Sequence, residues 1–272
     1  MRLGIFAKTF AGTDPATVLA AVKQAGYETT QFNLACAGLP SMPDAVPANA
    51  VAAIGAAARS SGVSLAALSG TYNMAHPDKA ARDDGLRRLA VVIDTAAKLD
   101  IPLVTLCTGS RNAADQWAYH PDNADPSAWF DMAVEMAKGL ALAEEAGVDL
   151  GIEPEQANIV TSAMDATRLI AEMGSKHLKI VLDPANLFEH AKPDEARAIV
   201  AAAIDEAAGH IAMAHAKDRF ADGRFATSGQ GVVDFPDFVA RLKGVGFDGA
   251  LVTHGLSADE APGVAIFLRG LL

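Results

Sequence analysis

The segment Gly151-Ile152-Glu153-Pro154-Glu155 ends a short apolar run in two carboxylates that flank a proline. The same design recurs downstream in Leu182-Asp183-Pro184-Ala185-Asn186, and a third apolar run ends in His215-Ala216-Lys217-Asp218. A longer, alanine-rich amphipathic stretch follows each run. Apolar strands that each precede a helix are typical of a parallel sheet covered by helices.

Eight apolar runs of this kind lie along the chain, and a predicted helix follows each one. The predicted strands are Arg2–Ala7, Thr29–Leu34, Leu65–Ser69, Leu103–Cys107, Asp149–Glu153, Leu178–Leu182, Ile211–Ala214 and Ala250–Thr253. The predicted helices are a segment opened by Asp14-Pro15 and closed by Gly26, then Pro47–Ser61, Lys79–Leu99, Pro126–Ala146, Ser162–Met173, Pro193–Ala208, Pro236–Lys243 and Ala258–Leu271. Eight such units in 272 residues match the size of a (β/α)8 TIM barrel, a parallel eight-stranded α/β barrel ringed by helices.

The alternative architecture is a doubly wound open sheet. No predicted strand is followed by the Gly-x-Gly-x-x-Gly turn of dinucleotide-binding folds, which favours the barrel. No Pro/Gly/Ser-rich linker or break in composition divides the chain. Residues 1–272 are therefore expected to form a single domain.

Composition and charge argue against several classes of protein. Lys and Arg total 22 against 33 Asp and Glu, and this net charge of −11 repels phosphate backbones and anionic membranes. No apolar run is long enough for a membrane span, and the N-terminus lacks the apolar region of a signal peptide. The two cysteines, Cys36 and Cys107, suit a reducing compartment. We expect a cytoplasmic protein that binds neither nucleic acid nor membrane.

Four consecutive predicted strands end in residues that bind metals: Glu153, Asp183, His215 and His254. In a barrel, strand ends meet at one mouth, and adjacent strands lie about 4.8 Å apart, so these side chains can converge. The mixed oxygen and nitrogen set favours one divalent ion of Mn²⁺, Zn²⁺, Fe²⁺ or Co²⁺ over Mg²⁺. The alternative for each residue is an ordinary hydrogen bond to a loop. The two carboxylates would repel each other in a cleft without a cation, which favours the metal.

These residues carry a resemblance to the xylose isomerase-like TIM barrel superfamily, and within it to the sugar phosphate isomerase/epimerase family. The strand-end motifs quoted above carry it, together with Gly229-Gln230-Gly231 and Gly246-Phe247-Asp248-Gly249. It covers essentially the whole chain. The resemblance implies a single divalent metal held by Glu153, Asp183 and His215, a small-molecule sugar substrate, and assembly as a homodimer or homotetramer.

The chain departs from that family at the last strand, where the family's usual ligand and base is a glutamate and this sequence has His254. In the family's reaction one glutamate removes a proton next to a metal-chelated carbonyl and the other returns it, with an enediolate between the steps. Here Glu153 can act as one base. His254 can serve as the fourth ligand or as the second base, because an imidazole does either. Glu155 is the next candidate for an acid or base, against the alternative of a solvated loop carboxylate.

Further polar and aromatic residues near predicted strand ends are candidates for substrate binding. They are Asn186, Lys217, Asp218, His120, Trp117, His76 and Gln31. Each has an ordinary alternative role as a loop hydrogen bond, a salt bridge or part of a small local core. The Gly229-Gln230-Gly231 turn lies where TIM barrels often bind phosphate, although such a turn can also serve the backbone alone.

The leading functional hypothesis is a divalent-metal-dependent isomerase or epimerase of a small sugar or sugar-like carbonyl compound. The second is a metal-dependent lyase on the same scaffold, one that dehydrates a keto-inositol or a dehydroshikimate-like acid. The third is a barrel that binds a ligand without catalysis. The superfamily also includes apurinic endonucleases, but the net charge of −11 argues against a DNA substrate.

Overall fold

A computed structural model describes all residues from Met1 to Leu272. Ten strands form, and eight of them close into a barrel in the order β1-β10-β7-β6-β5-β4-β3-β2, with every neighbouring pair parallel. The barrel strands are β1 (Arg2–Phe6), β2 (Thr29–Phe32), β3 (Ser64–Ser69), β4 (Leu103–Leu106), β5 (Asp149–Ile152), β6 (Leu178–Leu182), β7 (Ile211–Ala216) and β10 (Ala250–Thr253). The other two, β8 (Asp218–Arg219) and β9 (Phe225–Ala226), pair as an antiparallel hairpin beyond β7.

Eight α-helices surround the barrel. They are α1 (Pro15–Gln24), α2 (Ala48–Ser61), α3 (Lys79–Lys98), α4 (Pro126–Ala146), α5 (Ala163–Met173), α6 (Pro193–Ala207), α7 (Phe235–Gly244) and α8 (Ala261–Arg269). The Asp14 carboxylate caps α1 by accepting from the Thr17 amide, and Gly147 ends α4 in the left-handed conformation. None of the helices combines the length and the apolar character that crossing a membrane requires. The predicted TIM barrel is confirmed.

Most strand and helix bounds lie within two residues of the predicted ones, and two stretches differ more. Helix α8 begins at Ala261 rather than Ala258, because Pro262 fits only the first turn of a helix and the Glu260 carboxylate binds the Ser257 amide in a separate turn. The β8–β9 hairpin was not predicted, since strands of two residues carry no periodic signal.

A cluster of buried apolar side chains lies below the polar residues at the barrel mouth. Seven buried residues fill the barrel interior, namely Ala66, Ala67, Leu103, Val181, Met213, Ala250 and Val252. Side chains alternate along a strand, so the residue two positions after each inward-facing one also faces inward. Val181 is followed in this way by Asp183, Met213 by His215, and Val252 by His254. The polar layer is therefore the next layer of the same interior, directly above its apolar part.

Candidate metal centre

The structure brings the four predicted ligands of β5, β6, β7 and β10 to one point. One potential ligand atom from each of Glu153, Asp183, His215 and His254 lies within 4.8 Å of all the others. His215 Nδ1 is 3.2 Å from Glu153 Oε1 and 3.5 Å from Asp183 Oδ2, and His254 Nε2 is 3.1 Å from Asp183 Oδ2.

These separations fit a metal ion. Ligand atoms at 2.0–2.2 Å from a tetrahedral centre are about 3.3 Å apart, and three of the measured distances fall close to that value. Asp183 is fully buried and His215 is 2% exposed, so these groups are removed from bulk water. The buried Asp183 carboxylate and the partly buried Glu153 carboxylate face two imidazoles, and this donor set suits a divalent cation.

The pKa shifts of the ionisable groups in the protein alone also indicate that the site favours positive charge. Burial lowers the pKa of His215, but Glu153 and Asp183 outweigh it and raise the pKa to about 9. Burial would raise the pKa of the Asp183 carboxyl, yet the Lys217 ammonium and hydrogen bonds from both imidazoles hold it well below its usual range. Burial and the neighbouring His215 lower the pKa of His254. The site therefore keeps the Asp183 carboxylate ionised and a proton on His215, at a place where a bound metal would replace that proton.

Asn186 and Lys217 form a chain of hydrogen bonds beside the ligands. Asn186 Nδ2 donates to Glu153 Oε1 at 2.7 Å, and Lys217 Nζ donates to Asn186 Oδ1 at 2.9 Å. Lys217 Nζ also lies 3.9 Å from Asp183 Oδ2 and 3.8 Å above the Phe225 ring. This chain orients the Glu153 carboxylate and leaves N–H donors of the buried Lys217 ammonium directed at the cavity.

A cavity of about 510 Å³ lies above the ligands, within the usual range for small-molecule sites. Five of the predicted residues besides the metal ligands line it: Gln31, Trp117, Glu155, Asn186 and Lys217. The Glu155 carboxylate makes no hydrogen bond or ion pair with the protein. Burial and the nearby Glu153 charge raise the pKa of Glu155 to about 7. A carboxyl group free of partners, with such a pKa, can exchange protons with a bound molecule.

Three residues predicted to bind substrate, namely Asp218, His76 and His120, do not line this cavity. Asp218 is fully buried, and its carboxylate accepts hydrogen bonds from the amides of Gly229, Gly231 and Val233. His76, in the loop after β3, lies near Asp78 O of its own loop and Ala113 O of the loop after β4, and His120 accepts from the Asp122 amide. The three side chains therefore bind loop backbone.

The role of Asp218 also bears on the glycine turn. Its carboxylate takes up the Gly229 and Gly231 amides, which are the groups a phosphate would use. A turn already filled by a carboxylate has no free donors for an anion. The amides of this turn therefore hold the loop to Asp218 and are not free to bind phosphate.

Several cavity residues were not predicted from the sequence. They include Phe6, Lys8, Asn33, Ser69, Thr71, Thr105, Gln116 and Phe225. Most of them follow or end β1 to β4. In that part of the sequence, a polar residue at the end of an apolar run is the feature that could have indicated them. Phe225 lies in the short hairpin and is half exposed at the cavity rim, in a stretch with no pattern to mark it.

Comparisons with known proteins agree with this architecture. A family model described as xylose isomerase-like TIM barrel matches residues 19–269. The chain is similar to the solved structure of 3-keto-D-glucoside 4-epimerase from E. coli, with 17% identity, 99% of each chain covered and a TM-score of 0.78. It is similar to D-psicose 3-epimerase from Clostridium cellulolyticum H10, with 17% identity, 100% of this chain and 99% of that chain covered, and a TM-score of 0.76.

A third solved structure, an L-ribulose 3-epimerase, has 20% identity over 99% of this chain and 92% of that chain, with a TM-score of 0.76. At these identities the likeness shows a shared fold. No curated protein sequence matches the chain significantly. Because the family model spans nearly its whole length, the protein belongs to the xylose isomerase-like TIM barrel family.

Proposed function

We propose that the protein is a divalent-metal-dependent isomerase or epimerase of a small, unphosphorylated sugar or sugar-like carbonyl compound. The observation that carries the proposal is the cluster of four potential ligand atoms at the floor of a polar cavity, with an unpartnered carboxyl group beside it. The neighbours described as sugar epimerases support it through the shared fold.

Glu153, Asp183, His215 and His254 would hold the metal. When bound, a divalent cation supplies Lewis-acid stabilisation of the negative charge that develops on a substrate oxygen. Lys217 lines the same cavity and can donate to that oxygen, because its ammonium makes one hydrogen bond, to Asn186, and its other contacts are the Phe225 ring and a distant ion pair with Asp183.

Glu155 is the residue we assign to proton transfer. Glu153 accepts from Asn186 and faces His215, and His254 faces Asp183, so both are engaged within the ligand cluster. Glu155 lines the cavity, and its carboxylate has no hydrogen-bond or ion-pair partner in the protein. In an isomerisation it can take the proton next to the substrate carbonyl and return it to the neighbouring carbon. In an epimerisation a second group must deliver a proton to the opposite face of the same carbon, and Glu153, the base expected from the sequence, would take that role.

The cavity lining suits a polyhydroxylated substrate without a phosphate. Its amide and hydroxyl groups can bind sugar hydroxyls, and Trp117 and Phe225 offer exposed rings at the rim for apolar C–H faces. Asp218 closes the glycine turn after β7 to a phosphate, and Asp259 and Glu260 add negative charge in the next groove. An unphosphorylated sugar avoids both repulsions.

The test is hydrogen exchange. Protein supplied with Mn²⁺, Co²⁺ or Zn²⁺ is incubated in D₂O with a panel of ketoses, aldoses and keto-inositols, and deuterium next to the carbonyl is followed by NMR. We expect metal-dependent exchange with at least one unphosphorylated compound, and none with Asp183→Asn, which removes a ligand charge. A wild type without exchange across the panel would contradict the proposal.

The second candidate is a lyase that expels water from a β-hydroxy carbonyl compound. The presence of His254 in place of a carboxylate favours it, because a dehydration needs one base and one acid rather than two opposed bases. Glu155 would remove the proton and Lys217 could assist the departing oxygen. Loss of 18 mass units from the substrate, measured by mass spectrometry, separates this reaction from isomerisation.

A further inference from the structure

We propose that Gln31 is a positioning residue that fixes which nitrogen of His215 binds the metal. The inference rests on the metal site of the proposed function, but it does not depend on the substrate. It assigns Gln31 a role different from the substrate contact that the sequence suggested.

The geometry is a chain of side chains across the barrel interior. His215 Nε2 donates to Gln31 Oε1 at 2.8 Å. Gln31 Nε2 in turn donates to Ser69 Oγ at 3.2 Å and to Thr105 Oγ1 at 3.1 Å. Residues of β2, β3 and β4 thereby reach a ligand on β7, on the other side of the barrel.

This chain determines the tautomer of His215. A neutral imidazole carries one N–H, and a proton held on Nε2 by the Gln31 carbonyl leaves the Nδ1 lone pair free. Nδ1 is the atom that faces Glu153 and Asp183, at 3.2 and 3.5 Å. Histidines that bind metals commonly donate their other N–H to an oxygen in this way, which fixes the ring and strengthens the ligand.

Gln31 is poorly suited to binding substrate. Both ends of its amide are occupied by buried partners, and the residue is only 7% exposed. Ser69 is equally buried and Thr105 is more buried, at 3% exposure, and both accept hydrogen bonds from the same amide nitrogen. Both of its N–H groups are used, so only the second lone pair of Oε1 is left for a substrate hydroxyl.

The experiment measures metal affinity and the state of His215, without any assay of activity. Gln31→Met keeps the length of the side chain but removes the acceptor, and Gln31→Glu restores an acceptor. Zn²⁺ affinity is obtained by competition with a chromophoric chelator for wild type and both variants. Gln116→Met is the matched control, because Gln116 lines the same cavity and its side chain makes no hydrogen bond to the ligands.

We expect Gln31→Met to bind Zn²⁺ about 10–100-fold more weakly, with Gln31→Glu and Gln116→Met within a few-fold of wild type. Nitrogen-15 NMR of Zn²⁺-loaded wild type should show the proton of His215 on Nε2 and the metal on Nδ1, a readout that requires no variant. Wild-type affinity in Gln31→Met, a Gln31→Glu variant that folds but is as weak as Gln31→Met, or a metal on Nε2 would overturn the assignment. A wild type that binds none of Mn²⁺, Co²⁺ or Zn²⁺ would instead overturn the metal site itself.

Discussion

His254 Nε2 lies 3.1 Å from Asp183 Oδ2, so the last barrel strand directs a nitrogen, not a carboxylate oxygen, into the ligand cluster. The His254 ring also packs edge-on against the His215 ring, with ring centroids 4.5 Å apart. Both contacts orient the imidazole toward the other three ligands. Under the proposed function His254 is therefore the fourth ligand, and proton transfer falls to Glu155.

The first prediction concerns that ligand. His254→Ala removes one of four ligand atoms, and we expect the affinity for Mn²⁺ or Zn²⁺ to fall by more than about 100-fold, beyond the effect typical of an outer-shell change. Elemental mass spectrometry of protein purified without chelator, followed by titration, measures this loss. His254→Glu is the control, since a carboxylate there restores a ligand atom. Unchanged metal content in His254→Ala would show that three ligands suffice.

The second prediction separates Glu155 from the metal ligands. Glu155→Gln keeps the shape of the side chain but removes its ability to exchange a proton. We expect kcat to fall by about 10²–10⁴-fold while the metal affinity stays within a few-fold of wild type. Glu153→Gln should lower both quantities, because it alters a ligand. Equal loss of metal from the two variants would assign Glu155 to the metal site instead.

The third prediction concerns phosphate. We expect a substrate that is accepted in the D₂O assay to lose at least about 100-fold in kcat/KM when it carries a terminal phosphate, because no free backbone amides of the β7 turn remain to bind that group. The matched pair of a free sugar and its phosphate ester measures this ratio. A preference for the ester would place an anion site elsewhere in the cavity, with Lys8 the first residue to examine.

The sequence predicts the barrel well because local signals repeat. Each apolar run is followed by an amphipathic helix with a glycine or proline at its ends, and these patterns depend on neighbours a few residues away. The four ligand candidates could be found for the same reason: each ends or follows one apolar run, and the parallel order brings those ends together.

The remaining features depend on contacts across the fold. Gln31 stands in the short strand Thr29–Phe32, and nothing local indicates that it binds a histidine 184 positions away. Asp218 comes three residues after His215, which suggested a place at the mouth of the cavity. Its carboxylate turns instead toward amides that are 11 to 15 positions ahead in the chain. Such pairs are set by how the loops pack, which periodicity does not report.

The fourth prediction tests this packing at Gly231. A Cβ atom there would overlap the Arg219 carbonyl oxygen and the Asp218 carboxylate, and a backbone carbonyl cannot move aside as a flexible side chain can. We expect Gly231→Ala to lower the free energy of unfolding by about 1–3 kcal/mol, the usual range for forcing an atom into a packed site. Gly244→Ala is the control: its Cβ would meet nothing within 4 Å at the end of α7, so alanine there should be neutral or stabilise by up to about 1 kcal/mol.

Denaturant unfolding of both variants measures the difference. Equal stability would mean that the turn after β7 yields easily, and the argument that Asp218 keeps its amides from phosphate would then fail as well.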